Sequence, residues 1–493
     1  MKKYIFFMTE GDHWFEIPLF LYEQGIAKPV LWLGDDCHYD NAKKVFGSDV
    51  VRMNTFVHRP YEINEVNYNG KLIDFFFSEN YSRAKSICLK MMDRLDLYST
   101  FGRLDREVYF NKLVMWTLEK IDKSNPDLLI AAEAPHDHAK YVIFEICKFL
   151  KIPTYKFNTW TLGPILQLEN MVTGEIICPK KSGKTDLDIT IDKKIIQFIN
   201  EINFKKENFE MWYMTKYRKQ SKFFNRFLNL IVKDWKTYYL EIRHNTWMLV
   251  IGKYNPINPY RLSFFTRTWI QFLRSMNLSK NYRKNIKSFS FENKYVYFPL
   301  HFEPERTTNP DGGFFHDQFI ALCNLRKLVP DNIEIIVKEH QSQFLFIKGS
   351  RGRSPLYYNL INNLKNVKLI KENVSSLKLI NRSLFVATIT GTAALESAIL
   401  GKVCITFGST YFDSCPNIIR WSNKLEYNNV IEYKIRDVSS IKKFLLEKKE
   451  KYTIIGCQNG SHYRANISLI DENFKLLQKK QIINLLKQIL INK

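Results

Sequence analysis

The stretch Leu384–Phe407, LFVATITGTAALESAILGKVCITF, constrains this chain most. It reads as strand, tight turn, helix, turn, strand. Leu384–Thr388 is apolar and β-prone, and Thr390-Gly391-Thr392 interrupts it. Ala393–Leu400 is rich in helix formers, Gly401 stands where a left-handed C′ residue ends a helix, and Val403–Phe407 is a second buried strand. Such a unit belongs to a parallel sheet with crossover helices. A turn at the start of a helix leaves backbone N–H groups without intrahelical partners, and here two threonine hydroxyls stand beside them. That combination suits an anion, typically a phosphate. Glu396, one turn into the helix, is placed to reach a ribose hydroxyl of the same ligand. Taken alone, the turn reads more readily as a capped helix packing on a sheet; its neighbours reverse that in favour of the functional reading.

Alternation of strand and helix recurs in both halves. Lys3–Met8, Pro29–Leu33, Asp49–Phe56, Leu72–Phe77, Asp127–Ala131 and Pro153–Phe157 read as strands, with helices expected over Trp14–Gln24, Ser82–Asp96, Arg103–Lys123 and His138–Leu150. Tyr295–Phe298, Ile333–Val337, Val367–Ile370, Leu384–Thr388 and Val403–Phe407 read as a second strand series. Ser439–Lys449 and Asn466–Ile491 read as helices, the last with Leu476, Ile482, Leu485 and Ile489 on one side. The expected fold is α/β: two Rossmann-like domains facing a cleft, with a basic helical insertion between them. The expected boundaries are 1–178 for the first domain, 179–290 for the insertion, 291–460 for the second domain and 461–493 for a C-terminal helix.

Composition narrows the function classes. At 493 residues, with 45% hydrophobic and 15% aromatic residues, the chain can build more than one full core. Its eight cysteines are scattered with no C-x-x-C pair, against a disulfide scaffold or zinc ribbon. The N-terminal apolar run Tyr4–Met8 is too short for a signal peptide. A cytoplasmic protein, peripheral on the inner membrane, is the expectation. The net charge is +23, and the excess is concentrated: Lys205 to Ser290 holds 18 Lys and Arg against four acids. That segment reads as a connector with a solvated basic face. It reads also as a surface for anionic membranes, with Trp212, Tyr213, Phe223, Phe224 and Trp235 near the headgroups. Nucleic acid ranks last, because no DNA- or RNA-binding signature accompanies the charge.

Polar residues collect at strand ends in the second half. Lys338-Glu339-His340-Gln341 follows one strand; His301, Glu303, Glu305 and Arg306 follow another; the Thr-Gly-Thr turn follows a third. The K-E-H-x string, then T-G-T-A-A-L-E-x-A-x-x-G-K, resembles the donor half of GT-B glycosyltransferases. More narrowly it resembles bacterial capsule and surface-polysaccharide proteins, which include transferases using CMP-activated 3-deoxy-octulosonic acid (Kdo). The resemblance is clear over Tyr295–Phe407 and weak over the first half. It implies a GT-B-like fold, with 1–178 as the acceptor domain and 291–460 as the nucleotide-sugar donor domain. It implies also that His340 contacts the CMP phosphate while Thr390, Gly391 and Thr392 cap it. Lys338, Arg306, Glu305 and Glu396, read from their own places at the strand ends and on the helix, complete the donor site. Gln341 stands where such CMP-sugar enzymes have proline. UDP-sugar enzymes and UDP-N-acetylglucosamine 2-epimerases share a similar turn and helical Glu, so UDP-dependent chemistry stays open, as does a non-catalytic glycan- or nucleotide-binding role in polysaccharide assembly. The implied partners are a nucleotide sugar and a glycan or lipid-linked glycan acceptor.

Cleavage at an anomeric carbon passes through an oxocarbenium-like state and needs the departing phosphate stabilised. His340, Arg306 and a helix terminus supply this without a metal, and no cofactor is expected. A carboxylate must act from the acceptor side. Glu133, Asp12 and Glu10 are the candidates, each reading equally as a residue near a helix start. His136-Asp137-His138 lacks a third ligand at metal spacing.

Overall fold

The computed structural model describes residues 1–47, 49–52, 70–95, 102–180, 183–205, 264–303, 308–344, 349 and 352–491. The chain divides into two compact units. One comprises Met1–Met92, Arg103–Phe198 and Lys443–Lys493, the other Asp93–Gly102 and Ile199–Lys442. Each holds its own sheet.

In the first unit the strands are β1 (Lys2–Phe7), β2 (Ala27–Gly34), β3 (Val50–Arg52), β4 (Leu128–Ala131), β5 (Thr154–Thr159) and β6 (Ile165–Asn170). Their order is β6-β5-β4-β1-β2-β3, with β1 to β5 all parallel. The strand sequence Leu-Leu-Ile-Ala of β4 is buried throughout, as a strand covered on both faces must be. Helices His13–Glu23, Tyr39–Phe46 and His138–Phe149 are among the crossovers. Strand order reverses between β1 and β4, so loops leaving those two strands diverge and open a space between them.

The second unit has β7 (Tyr295–Pro299), β8 (Glu334–Lys338), β9 (Val367–Ile370), β10 (Val386–Thr388), β11 (Cys404–Thr406) and β12 (Ile418–Arg420). All are parallel, in the order β12-β11-β10-β7-β8-β9. The reversal here lies between β7 and β10. The fold class is therefore two doubly wound, Rossmann-like α/β units in one chain. The stretch Leu384–Phe407 forms as expected: β10, a helix over Ala393–Ile399, Gly401 at φ +69°, then β11.

β13 (Ile454–Ile455) pairs antiparallel with β6, returning the chain to the first sheet. The helix Glu472–Ile491 then buries Phe474, Ile482, Leu485, Leu486, Ile489 and Leu490 in the first unit. Leu476, expected on that side, is 69% exposed. It lies six residues before Ile482, one and two-thirds turns, and so falls off a stripe spaced at three and four. Leu72–Phe77 forms a 3-10 helix over Lys71–Phe77 and not a strand. Phe75 is buried while Phe77 is 87% exposed, so burial does not alternate along this run. The Asp49–Phe56 strand is described only as far as Arg52. Of the basic insertion, the helix Phe264–Lys284 is described, whereas residues 206–263, with the five aromatics named above, lie outside the described residues.

Candidate functional site

In the second unit the strand reversal brings together the exits of β7, β10 and β8. His301 leaves β7, the Thr-Gly-Thr turn leaves β10, and His340 leaves β8. The Thr390 N–H donates to His301 Nε2 (3.4 Å), and Thr388 Oγ1 lies 3.0 Å from the same nitrogen. An Nε2 that accepts places the proton of a neutral His301 on Nδ1. His340 Nδ1 accepts from the Ser342 N–H (3.2 Å), which leaves its Nε2–H as a donor. Burial, followed by the Arg353 charge, pulls the His301 pKa down to about 4. Burial also takes His340 down to about 4, with smaller contributions from His301, Lys338 and Arg353. At neutral pH the site thus offers two uncharged imidazole donors.

Gly391 is required by space. A Cβ there would stand 2.9 Å from Thr388 Oγ1 and 3.3 Å from His301 Cε1. Thr390 Oγ1 and Ser342 Oγ are both buried with no hydrogen-bond partner among the described residues. Buried hydroxyls without partners are costly and mark a place for a ligand's polar atoms or water. The helix Ala393–Ile399 has two turns, so its dipole is short and the histidines become the principal donors. Thr392 caps no backbone group; its hydroxyl donates to Glu396 Oε1 (3.2 Å). Burial raises the Glu396 carboxyl above its ordinary range, against the Thr392 bond and the Lys338 charge. Lys338, 5% exposed, donates from Nζ to Val374 O (2.8 Å) and Ser376 Oγ (2.6 Å), and stands as a fixed charge behind the site. Glu305 and Arg306 lie outside the described residues.

In the first unit, the loops after β1 and β4 hold the three acidic candidates. Glu133 lies 3.8 Å from the buried Lys140 ammonium, which also reaches Met8 O (3.3 Å) and Asp137 (3.7 Å). The Asn459 amide donates to Glu133 Oε2 (3.4 Å). The Glu10 carboxylate lies against Gly460, where any Cβ would collide with it. The two glutamates therefore meet consecutive residues of one loop, the one that follows β13. Asp12 points elsewhere: its side chain is 88% exposed and sits 3.2 Å from His38 Nε2, while His38 Nδ1 bonds Asp35 (2.8 Å). Asp137 caps the helix His138–Phe149 through the Lys140 N–H, and His138 packs edge-on against Tyr109. Among the described residues no group of three His, Cys, Asp or Glu could hold a metal.

Sequence reasoning placed His301 beside this edge without assigning it a role, and missed Ser342, Arg353 and Asn459. A strand-order argument could have promoted His301, because the central strand of a doubly wound sheet opens on the reversal. Nothing in the pattern around Arg353 or Asn459 signals their contacts, which depend on segments 14 and 326 residues away.

No family model and no curated protein matches the chain. Solved structures similar to it include a beta Kdo 2,7 transferase, KpsC of Thermosulfurimonas dismutans, at 11% identity over 71% of this chain and 90% of that one, TM-score 0.26. UDP-GlcNAc 2-epimerase from Methanocaldococcus jannaschii aligns at 10% identity over 90% of this chain and 98% of that one, TM-score 0.23. The Neisseria meningitidis UDP-GlcNAc 2-epimerase bound to UDP-GlcNAc aligns at 10% over 91% and 99%, TM-score 0.21. Both groups named by the motif string are thus among the structures matched. At such values the reading of function rests on the residues of the site itself.

Proposed function

We propose that the chain is a nucleotide-sugar-dependent glycosyltransferase of surface-polysaccharide synthesis. The observation that supports it is the pair of neutral imidazoles, His301 and His340, flanking the Thr-Gly-Thr turn at the strand reversal of the second sheet. In this reading the donor phosphate accepts from His340 Nε2–H and His301 Nδ1–H, with Thr390 and Ser342 hydroxyls as further partners. Glu396 meets the ribose. As the anomeric bond lengthens, charge accumulates on the departing phosphate, and donors already in place stabilise it with little reorganisation. Glu133 accepts the proton of the acceptor hydroxyl, or forms the glycosyl bond transiently, with Glu10 and Asp12 as its alternatives.

The donor we favour is a CMP-linked ulosonic acid, Kdo or a nonulosonic acid, and the acceptor a growing or lipid-linked glycan. The basic, aromatic segment supports residence on an anionic membrane surface; liposome sedimentation that shows no salt-sensitive binding would remove that part. Among the described residues no helix is long and apolar enough to cross a membrane. One observation favours a second reading: Gln341, where CMP-sugar enzymes of the type it resembles have proline, leaves UDP-sugar transfer or 2-epimerisation as the competing chemistry. Turnover assays with CMP-Kdo and UDP-GlcNAc decide between them. Product from the CMP donor alone supports the first reading. Epimerised UDP-sugar without transfer overturns it, and binding without turnover of either leaves a scaffold.

A further inference from the structure

Behind the two imidazoles lies a buried ion pair that the proposed chemistry does not use. Glu339 is 0% exposed and the Arg353 side chain 4%. Arg353 Nε donates to Glu339 Oε2 (3.0 Å) and Nη2 to Oε1 (3.3 Å). The Tyr358 hydroxyl donates to Oε2 (3.0 Å), and the Glu339 N–H donates to the Tyr282 hydroxyl (3.2 Å). The guanidinium also lies 4.5 Å over the Tyr357 ring. Desolvating two charges costs more than a solvent-exposed pair would recover, so a buried pair is weak evidence for a role in stability. Its remaining contacts are more telling. Glu339 Oε1 accepts from the His340 N–H (2.8 Å), and Arg353 Nη2 donates to the His301 carbonyl (2.8 Å). One bidentate pair therefore ties the backbone of one histidine to the backbone of the other.

We propose that Glu339 and Arg353 are the positioning residues of the nucleotide-phosphate site, setting the spacing of His301 and His340. This inference rests on the phosphate reading of that site. Two consequences follow, one geometric and one electrostatic. Geometrically, an amine cannot replace the fork, since three separate acceptors are met by one planar group. Electrostatically, Arg353 opposes protonation of both rings. Among the described residues, Lys338 stands at the end of β8, Glu303 on the His301 loop and Glu396 on the helix after the turn. Of these, Lys338 also opposes protonation of His340. Burial is the larger cause for both, so the rings stay neutral near pH 7 without the pair and its removal is felt through geometry.

The test is calorimetric binding of CMP and UMP between pH 5 and 8, as an estimate of the useful window around the histidine range. The variants are Glu339→Gln/Arg353→Met, Arg353→Lys and His340→Ala. The double variant removes both charges and leaves neither one buried alone, the change that buried pairs tolerate best. At pH 8 it should bind about tenfold more weakly, the loss expected from misplacing a hydrogen-bond donor. Its deficit should be nearly constant over this range, because burial, the larger cause, still keeps both rings neutral. Arg353→Lys retains the charge and loses the fork, so it should show a deficit that does not change with pH, and it keeps the test alive if the double variant fails to fold. The phosphate's own titration is common to all forms and cancels in the ratios. A double variant or an Arg353→Lys protein with wild-type affinity overturns the proposal while the phosphate reading stands. Wild-type protein that binds neither nucleotide, or a His340→Ala protein that binds them undiminished, overturns the phosphate reading and the proposal with it.

Discussion

His340 illustrates how a single ring acquires its task. Its Nδ1 is committed to the Ser342 N–H, so only Nε2–H is available to a ligand. His340→Ala should therefore lower turnover by a factor on the order of 10²–10³, about 3–4 kcal/mol, as loss of one preorganised donor to a developing anion does. His340→Gln, which restores an N–H, should recover part of it. Glu396→Gln should weaken nucleotide binding with little separate effect on the bound-state rate, since a ribose contact is made before and during the reaction. Glu133→Gln should leave nucleotide affinity nearly unchanged and abolish transfer. A fully active Glu133→Gln enzyme would move the role to Glu10, which lies against the same segment after β13, ahead of the exposed Asp12. Residue identity at these positions was legible in the sequence because strand ends collect polar groups. Their hydrogen-bond commitments were not, because a tautomer depends on which backbone N–H comes within reach.

At the scale of elements, the strand–turn–helix of β10 and Ala393–Ile399 works only with glycine at two places. Gly391 admits the His301 ring, and Gly408, beyond β11, admits the Thr390 methyl, with Asp311 O 3.0 Å from where a Cβ would stand. Gly391→Ala should displace His301 and cut nucleotide affinity, at an overpacking cost of about 1–3 kcal/mol. Thermal unfolding and nucleotide titration of the same protein check both; unchanged affinity would mean that the ring has room to retreat. The 3.6 and 2 periodicities identified most elements of both sheets. They failed for Lys71–Phe77, where a short apolar run has no alternation, and for β6, β12 and β13, of which β12 and β13 are too short to show a period and β6 pairs antiparallel.

For the whole molecule, protons and buried charge govern how each unit holds together. His13, buried in the first unit and bonded to Cys457 O, also has its pKa lowered to about 4 by burial. A histidine with folded pKa near 4 contributes stability that is complete above about 6.5, the unfolded value, and is lost as pH falls toward 4. Glu339 and Glu396, raised by burial, act in the opposite sense. Comparing wild type with a His301→Gln/His340→Gln variant isolates the rings. Its stability should fall less steeply between pH 6.5 and 4, by about 1–3 kcal/mol per ring. Parallel slopes would mean that the rings titrate normally. In the first unit, Lys449 is 1% exposed and bonds Asp188 (2.6 Å) and Asp192 (3.1 Å), tying the returning C-terminal segment to the helix Asp186–Lys205. Lys449→Met strands Asp188 in the interior and should cost about 3–5 kcal/mol in denaturant unfolding. The sequence by itself determined the α/β class, the second series of parallel strands and the Thr-Gly-Thr edge, since these follow from local periodicity and turn chemistry. Only the tertiary structure decided that residues 443–493 return to the first sheet, that Asn459 meets Glu133, and that Arg353 joins His301 to His340. Those contacts are set by burial and geometry between segments far apart in the chain, and no local pattern encodes them.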